Sequence, residues 1–344
     1  MNVLVVSNRV PFVHGGAEEL CVHLVKQLRL HGVAAEAMRI PFSWNPAERL
    51  IEEMLIARSL RLYNVDRLIA LKFPAYLIPH VNKVYWLLHQ YRQAYDLWDA
   101  GRSNIPADAR GQAIRGAIRQ ADNIAFAQAR RVYTNSRVTA NRLHRYNGVA
   151  SSILAPPLND PELFTGGEPA GYIFAGGRIN ADKRQTLLVH ALRHAPAATL
   201  VIAGPPDTPA DAQRLRAEAD AQGVTQRIRF DLRFMPREEM AALVNHASAV
   251  AYLPFDEDSM GYVTMEAFQA GKPVITTADS GGVLELVKHG VTGYVAEPDP
   301  RSLGAALRAV VQSRETAAQM GAAARRRMIA DGLNWPSTIA KLLA

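Results

Sequence analysis

"YIFAGGRINADKRQTLLVHALRHAPAATLVIAGPP", residues 172–206, contains a strand, a glycine turn, a helix, a second strand and a second glycine turn, in that order. YIFAGG is short and apolar and ends on Gly176 and Gly177. RQTLLVHALRHA carries its apolar residues at helical spacing, and ATLVIAGPP is again a strand that stops at a glycine. Strand, helix and strand with glycines at the strand ends make one unit of an open α/β sheet. Downstream the alternation continues. DAQRLRAEADAQG, REEMAALVNHA, YVTMEAFQAG and GVLELVKHG read as helices, and RIRF, AVAYLPF, PVITT and GYVAE read as strands. Upstream, ILAPPLNDPELFTGGEPAG is rich in Pro and Gly and has no period, so it reads as a linker. Before it lies a second alternation, opened by NVLVVS as strand, the loop NRVPFVHGGAEE and the helix LCVHLVKQLRLHG. DRLIALKF, VNKVYWLLHQ and RRVYTNS follow as strands, with mainly helical segments between them. The expected fold class is α/β, with a doubly wound domain over residues 1–160, another over 161–325, and a tail over 326–344. Two such domains predict a cleft between open sheets, with ligands at the carboxyl ends of the strands.

The bulk composition agrees with this division. A chain of 344 residues exceeds one ordinary core. An apolar content of 49% with 21% charged residues is that of a soluble globular protein, and no run reaches the ~18 apolar residues of a membrane helix. MNVLVVSNRV lacks the basic start of a secretion signal, so a cytoplasmic location is expected. The single cysteine, Cys21, excludes an internal disulfide and lies in an apolar helical pattern that suits an inert thiol. The net charge of +7 is uneven, because residues 1–155 hold 20 Lys/Arg against 11 Asp/Glu. The first half is therefore expected to face something anionic: a phosphorylated substrate, an anionic membrane surface or nucleic acid. Nucleic acid is disfavoured, since no basic run with interleaved aromatics and no nucleic-acid motif is present. Solvated arginines on helix faces account for part of the same excess.

Three stretches carry candidate chemistry. In HGGAEE, residues 14–19, Gly15 and Gly16 let backbone amides approach an anion at the start of the next helix, although a plain tight turn fits equally well. In AGGRINADKRQ, residues 175–185, Gly177 precedes Arg178 and Lys183, two cations that a turn can direct at one diphosphate. In DEDSMGYVTMEAFQAGKPVITT, residues 256–277, Gly261 marks a turn before a helix. The amides of Met260, Gly261, Tyr262 and Val263 are then expected free at the helix start, for phosphate oxygens. Asp258 on the loop and Glu266 in the helix could hold two ends of one hydroxylated ligand. Asp256, Glu257 and Asp258 also read as a metal triplet or as helix caps.

Taken together, GGAEE, GRINADK and DSMGYVTMEAFQAGKPVITTADSGGVLELVKHGVTGYVAEPD resemble the retaining glycosyltransferases of family 4. TNSRVTANRL, APPLNDPELF and LVIAGPP match intermediate parts of the same family, so the resemblance spans nearly the whole chain. It implies the GT-B fold, two Rossmann-like domains facing a cleft, with a C-terminal helix crossing back to the first. The implied activity is transfer of a sugar from a nucleotide-diphosphate donor, held mainly on the second domain, to a glycan or lipid-linked acceptor. Anomeric configuration would be retained, and neither a metal nor another cofactor would be needed.

By the resemblance, Arg178 and Lys183 neutralise the donor diphosphate and Glu266 takes the ribose hydroxyls. Asp258 stands near the transferred sugar, and His89 at a strand end lines the reaction centre. Arg92, Tyr95 and Asp96 are positional candidates for acceptor hydroxyls, while Asn135 and Ser136 fit a structural turn. The family usually has Glu where this chain has Asp258, a side chain one methylene (~1.5 Å) shorter, so Glu257 is the alternative sugar contact. Association with the inner face of the cell membrane is expected from the basic first half. A catalytically silent nucleotide-sugar binder, or an epimerase or phosphorylase on the same fold, stays as the rival reading. A dinucleotide dehydrogenase is disfavoured because Gly-x-Gly-x-x-Gly is missing.

Overall fold

The computed structural model describes residues 1–11 and 15–344. The chain divides into two compact units, residues 1–157 with 334–344 and residues 158–333. Unit 1 contains β1 (Asn2–Arg9), α1 (Gly16–Leu30), β2 (Ala34–Pro41), α2 (Arg49–Ser59), β3 (Arg67–Lys72) and β4 (Lys83–His89). These are followed by α3 (Asp96–Asp99), α4 (Ala109–Ala127), β5 (Arg131–Thr134), α5 (Arg137–Asn147) and β6 (Ser152–Ile153). The six strands pair in parallel in the order β2-β1-β3-β4-β5-β6. Both faces of this sheet are buried, so its central strands are continuously apolar. Leu68, Ala70, Tyr85 and Leu87 pack on Leu50 and Met54 of α2 and on Ile114 and Ile118 of α4. Ile69, Leu71, Val84 and Trp86 point the other way, onto Leu20, Leu24 and Leu28 of α1.

Unit 2 contains β7 (Ile173–Gly176), α6 (Gln185–Leu192), β8 (Leu200–Ala203), α7 (Pro209–Ala221), β9 (Ile228–Asp231) and α8 (Arg237–Asn245). Next come β10 (Ala249–Ala251), α9 (Tyr262–Gln269), β11 (Val274–Thr277), β12 (Gly293–Ala296), α10 (Pro300–Gln312) and α11 (Arg314–Asp331). Its sheet, also parallel, runs β12-β11-β10-β7-β8-β9. Ile173, Ala175, Leu200 and Ile202 pack there on Leu188 and Leu192 of α6 and Leu307 of α10. The last helix, α12 (Trp335–Leu343), belongs to unit 1. Its Trp335, Ile339 and Leu342 complete the α1 face of the first sheet, with Trp335 edge-on to Trp86 at 6.2 Å between centroids. Arg67 and Tyr133 fasten α12 by donating to the carbonyls of Leu342 (3.0 Å) and Lys341 (3.1 Å).

The structure departs from the sequence reading in several places. β2 was not assigned, since AAEAMRI is composed of helix formers and lacks β-branched residues until its end. It is a strand because it lies along β1 at the sheet edge, in register from Asn2↔Ala34 to Arg9↔Pro41. GVLELVKHG forms only a single 3-10 turn, Gly282–Glu285. Its first residue is pinned, with the Gly282 amide donating to Glu257 O at 2.8 Å and Thr292 Oγ1 drawing on Leu286 O beyond it. The return to unit 1 starts at Asn334, so Arg325, Arg326 and Arg327 sit on α11 within unit 2 rather than on a crossing tail from residue 326.

Candidate functional site

In unit 2 the strand order reverses between neighbours β7 and β10, which pair at Ala249↔Ile173 and Val250↔Phe174. Loops leaving two such strands diverge and open a crevice at their carboxyl ends. The loop after β7 contains Gly177, Arg178 and Lys183; the loop after β10 contains Tyr252 through Gly261. Residues 69 and 74 apart in sequence therefore meet here.

Lys183 is the centre of this meeting. Its ammonium donates to Tyr252 Oη at 2.9 Å and to Glu257 Oε2, and the Tyr252 hydroxyl donates to the same carboxylate oxygen at 2.9 Å. Burial works against the ammonium, but Tyr252 and Glu257 outweigh it and hold Lys183 above the ordinary lysine range. The lysine is thus a fixed, permanently charged cation. Glu257, rather than Asp258, is the carboxylate set against it. Asp258 lies beside it, buried.

Arg178 is braced separately. Its Nη1 lies 3.1 Å from both oxygens of Asp207, which also accepts from Asn180 Nδ2 at 2.9 Å. Arg178 and Lys183 therefore belong to one loop but each has its own carboxylate. A Cβ on Gly204 would fall 2.1 Å from Gly177 O, so the β7 and β8 loops touch backbone to backbone, and Asp207 reaches Arg178 because of it.

Glu266 is buried on α9 and pairs through Oε1 with Arg237 Nη1 of α8. Arg237 in turn lies over the Phe164 ring at 4.8 Å and donates to Asn159 O at 3.1 Å. At the start of α9, Gly261 has φ +74 and a Cβ there would stand 2.5 Å from Tyr252 Cε1. Its amide donates to Ser259 Oγ at 3.2 Å. That amide is thus committed, contrary to the expectation that the run from Met260 through Gly261 and Tyr262 to Val263 would be open. A short polar side chain two residues back satisfies it.

Arg184 was not singled out in the sequence. It has φ +53, a left-handed conformation for a non-glycine residue. Its guanidinium donates to Leu253 O (2.7 Å), Pro254 O (2.9 Å), Thr277 Oγ1 (2.8 Å) and both Asp279 oxygens (2.8 Å each). This clamp ties the Lys183 loop to the ends of β10 and β11. Burial alone would raise Asp279, but Arg184 and Thr277 outweigh it and hold its carboxyl below the usual range.

In unit 1, Gly15 and Gly16 begin α1 with extended backbone at Gly15, whereas His14 lies outside the described residues. His89 ends β4, half-buried, with Nδ1 2.6 Å from Gln90 O. Tyr95 is turned into the core, where its hydroxyl donates to Asp122 Oδ2 at 2.8 Å; it is not placed to meet an acceptor. Asn135 and Ser136 form the turn into α5. Ser136 caps α5 by accepting from Thr139 N at 3.0 Å, and Asn135 Oδ1 accepts from Thr139 Oγ1 at 2.8 Å. Burial pushes the Cys21 thiol up to about 11, as suits a core residue. Among the described residues no three His, Cys, Asp or Glu side chains gather so as to hold a metal, and no helix is long and apolar enough to cross a membrane.

The comparisons with known proteins fall on this unit. Residues 166–327, most of unit 2, match the model of the family "Glycosyl transferases group 1". It is 31% identical over 245 residues to the D-inositol 3-phosphate glycosyltransferase of Geodermatophilus obscurus, an alignment covering 63% of this chain and 52% of the relative. The chain spans about half the length of the curated relatives it matches. Among solved structures, sucrose-phosphate synthase from Thermosynechococcus elongatus superposes with a TM-score of 0.80 at 17% identity, covering 99% of this chain and 97% of the other. Anabaena HepE in complex with UDP-glucose superposes with a TM-score of 0.72 at 17% identity, covering 100% and 98%. The fold is GT-B, two Rossmann-like units each built on a parallel six-stranded sheet.

Proposed function

We propose that the protein is a retaining glycosyltransferase, taking a sugar from a nucleotide-diphosphate donor on unit 2 to a hydroxyl of a glycan or lipid-linked acceptor. The observation that carries this reading is the fixed Lys183 cation at the β7/β10 crossing, with Arg178 on the same loop and Glu266 on the helix that follows β10. A lysine and an arginine on one glycine loop suit a diphosphate, as the UDP-glucose complex of HepE suits a donor of that class for the fold. Glu266, with one oxygen on Arg237, has the other for ribose hydroxyls.

In the proposed step the bond between the anomeric carbon and the diphosphate oxygen breaks, and the electron pair leaves with the diphosphate. Arg178 and Lys183 stabilise that developing charge because they are already fixed and need no reorganisation. The acceptor hydroxyl bonds to the same face of the anomeric carbon and passes its proton to the departing phosphate oxygen. No protein nucleophile and no metal is invoked. His89 and Asp258 remain the residues assigned to the sugar, with Gly15 and Gly16 for the donor side of unit 1. Work at the cytoplasmic face of the membrane, in making surface polysaccharide or glycolipid, is the setting we infer from the basic first unit.

The test is a thermal-shift panel of nucleoside diphosphates and their sugars on the parent, Arg178→Ala and Glu266→Ala proteins. Stabilisation of the parent by at least one nucleotide, lost in both variants, is expected. Absence of any stabilised nucleotide, or full stabilisation in both variants, overturns the reading. Turnover of the stabilising donor in the presence of a chelator then checks metal independence, and binding without any turnover would favour the silent binder.

A further inference from the structure

A lysine ammonium has three protons to give, and Lys183 gives two of them to Tyr252 Oη and Glu257 Oε2. Among the described residues nothing else accepts from it. Once two N–H directions of a tetrahedral ammonium are fixed, the third is fixed as well. That direction is only as definite as the placement of Tyr252 and Glu257, and the next residue in the chain, Arg184, governs that placement.

Arg184 has φ +53 and ψ +36 and precedes α6 without making a side-chain capping bond. A left-handed backbone crowds the Cβ of any L residue, whereas glycine takes it without cost. An arginine here therefore serves something beyond the turn. Its side chain, 16% exposed, reaches from the Lys183 loop to the segment between Tyr252 and Glu257. Nε donates to Leu253 O at 2.7 Å and Nη2 to Pro254 O at 2.9 Å. The same guanidinium forks onto both oxygens of Asp279, each at 2.8 Å. Beyond it the Asp279 carbonyl accepts from Asp256 N, and the Glu257 carbonyl accepts from Gly282 N, both at 2.8 Å. The segment that begins with Tyr252 and ends with Glu257 is thus gripped between residue 184 and residues 279–282, and one side chain spans both walls. A planar fork in two-point contact with a carboxylate has a defined orientation, which neither lysine nor a neutral amide reproduces.

We propose that Arg184, locked on Asp279, is a positioning residue that fixes where Lys183 aims its third proton. It acts through Tyr252 and Glu257 and is not itself catalytic. An anion that meets an already aimed cation requires no rearrangement, so the clamp strengthens binding of a diphosphate. Its contribution to stability is partly offset by the strain at residue 184. That the anion is the donor diphosphate rests on the transferase reading above; the hold on Lys183 does not.

The test uses the full chain and two readouts. The first is acetylation in mildly alkaline buffer, followed lysine by lysine by mass spectrometry. Exposed Lys288 supplies the reference rate. Lys272, 6% exposed and donating to Gly167 O at 2.7 Å, reports any general loosening of unit 2. In the parent, Lys183 and Lys272 both react far more slowly than Lys288. Arg184→Gly keeps the left-handed turn and removes the guanidinium, and Asp279→Asn removes the charge onto which it forks. Each speeds Lys183 roughly tenfold or more and leaves Lys272 as it was. The second readout is isothermal titration with UDP, ADP and GDP. Whichever binds the parent binds both variants roughly ten- to a hundredfold more weakly, the range for charge-assisted hydrogen bonds. Arg184→Lys, which keeps the charge without the fork, falls between the parent and the glycine variant and stands in if the latter fails to fold. Arg193→Ala, at the other end of α6, changes neither readout. The proposal is overturned if Lys183 stays as slow in both variants as in the parent, if Lys272 opens in step with Lys183, or if nucleotide binding is unchanged although Lys183 has become reactive. Should Lys183 respond as expected while no nucleotide binds the parent, the donor reading falls and the clamp stands; a nucleotide that binds the parent, with Lys183 unmoved in the variants, removes the clamp alone.

Discussion

Lys183 owes its charge to two neighbours that no motif couples to it, Tyr252 and Glu257, and replacing it tests the site at its centre. Lys183→Ala removes the cation that Tyr252 and Glu257 hold; we expect loss of nucleotide stabilisation in the thermal-shift panel and a protein less stable by about 2 to 3 kcal/mol in urea. Two other buried groups give unit 1 a pH signature. Burial, and then Arg58, pushes Lys83 down to about 8 from 10.5, although its ammonium donates to Tyr76 O and Ile78 O. Between those values the unfolded chain binds more protons than the folded one, so stability rises with pH through that window. Burial pushes Asp122 up to about 7 from 3.8, against the hydrogen bonds from Tyr95 and Tyr76. There the folded chain holds the extra proton, and stability is lost as pH rises through 7. Unit 1 is therefore expected to be least stable near pH 7 to 8, with each limb on the order of 3 kcal/mol. Tryptophan fluorescence in urea reads this directly, because all four tryptophans, Trp44, Trp86, Trp98 and Trp335, lie in unit 1. Asp122→Asn should flatten the acid limb and Lys83→Met the alkaline one.

At the scale of elements, the segment from β10 to α9 is held by its neighbours' backbones. Phe255 N donates to Asp182 O and Asp256 N to Asp279 O, both at 2.8 Å, so Glu257 is presented to Lys183 by fixed main chain. Gly261 closes the segment with a positive φ and no room for a side chain beside Tyr252. Gly261→Ala should displace the Tyr252 ring and cost about 1 to 3 kcal/mol, with nucleotide binding at least tenfold weaker by titration. Most of these elements were legible, since apolar residues at helical spacing followed by glycine name them. Two that were not, β2 and the turn at Gly282–Glu285, are set by a neighbour. AAEAMRI becomes a strand by pairing with β1, and past GVLE the Leu286 carbonyl accepts from the Thr292 hydroxyl instead of from a helical amide. Local propensity has no access to either partner.

At the scale of the molecule, unit 1 is discontinuous in sequence, and α12 closes a core that the first 157 residues leave open. Ending the chain after Leu333 removes Trp335, Ile339 and Leu342 from that core. At roughly 1.5 to 3 kcal/mol for each side chain, the loss is comparable to the whole stability of an ordinary domain. Such a truncation should lack the cooperative fluorescence transition of unit 1, while Trp335→Ala alone should lower its stability by about 3 to 5 kcal/mol in urea. The sequence by itself determined the two α/β halves, the linker between them, the glycine turns at the strand ends and the candidate positions Arg178, Lys183 and Glu266. These follow from period and residue type, which are local. Only the tertiary structure decided which charge meets which: Glu257 with Lys183, Asp207 with Arg178, Arg237 with Glu266, and the arginines around Asp96 and Asp99. Those pairs join residues up to 74 apart, and it is the order of strands in each sheet, a property of packing and not of any segment, that brings their loops together.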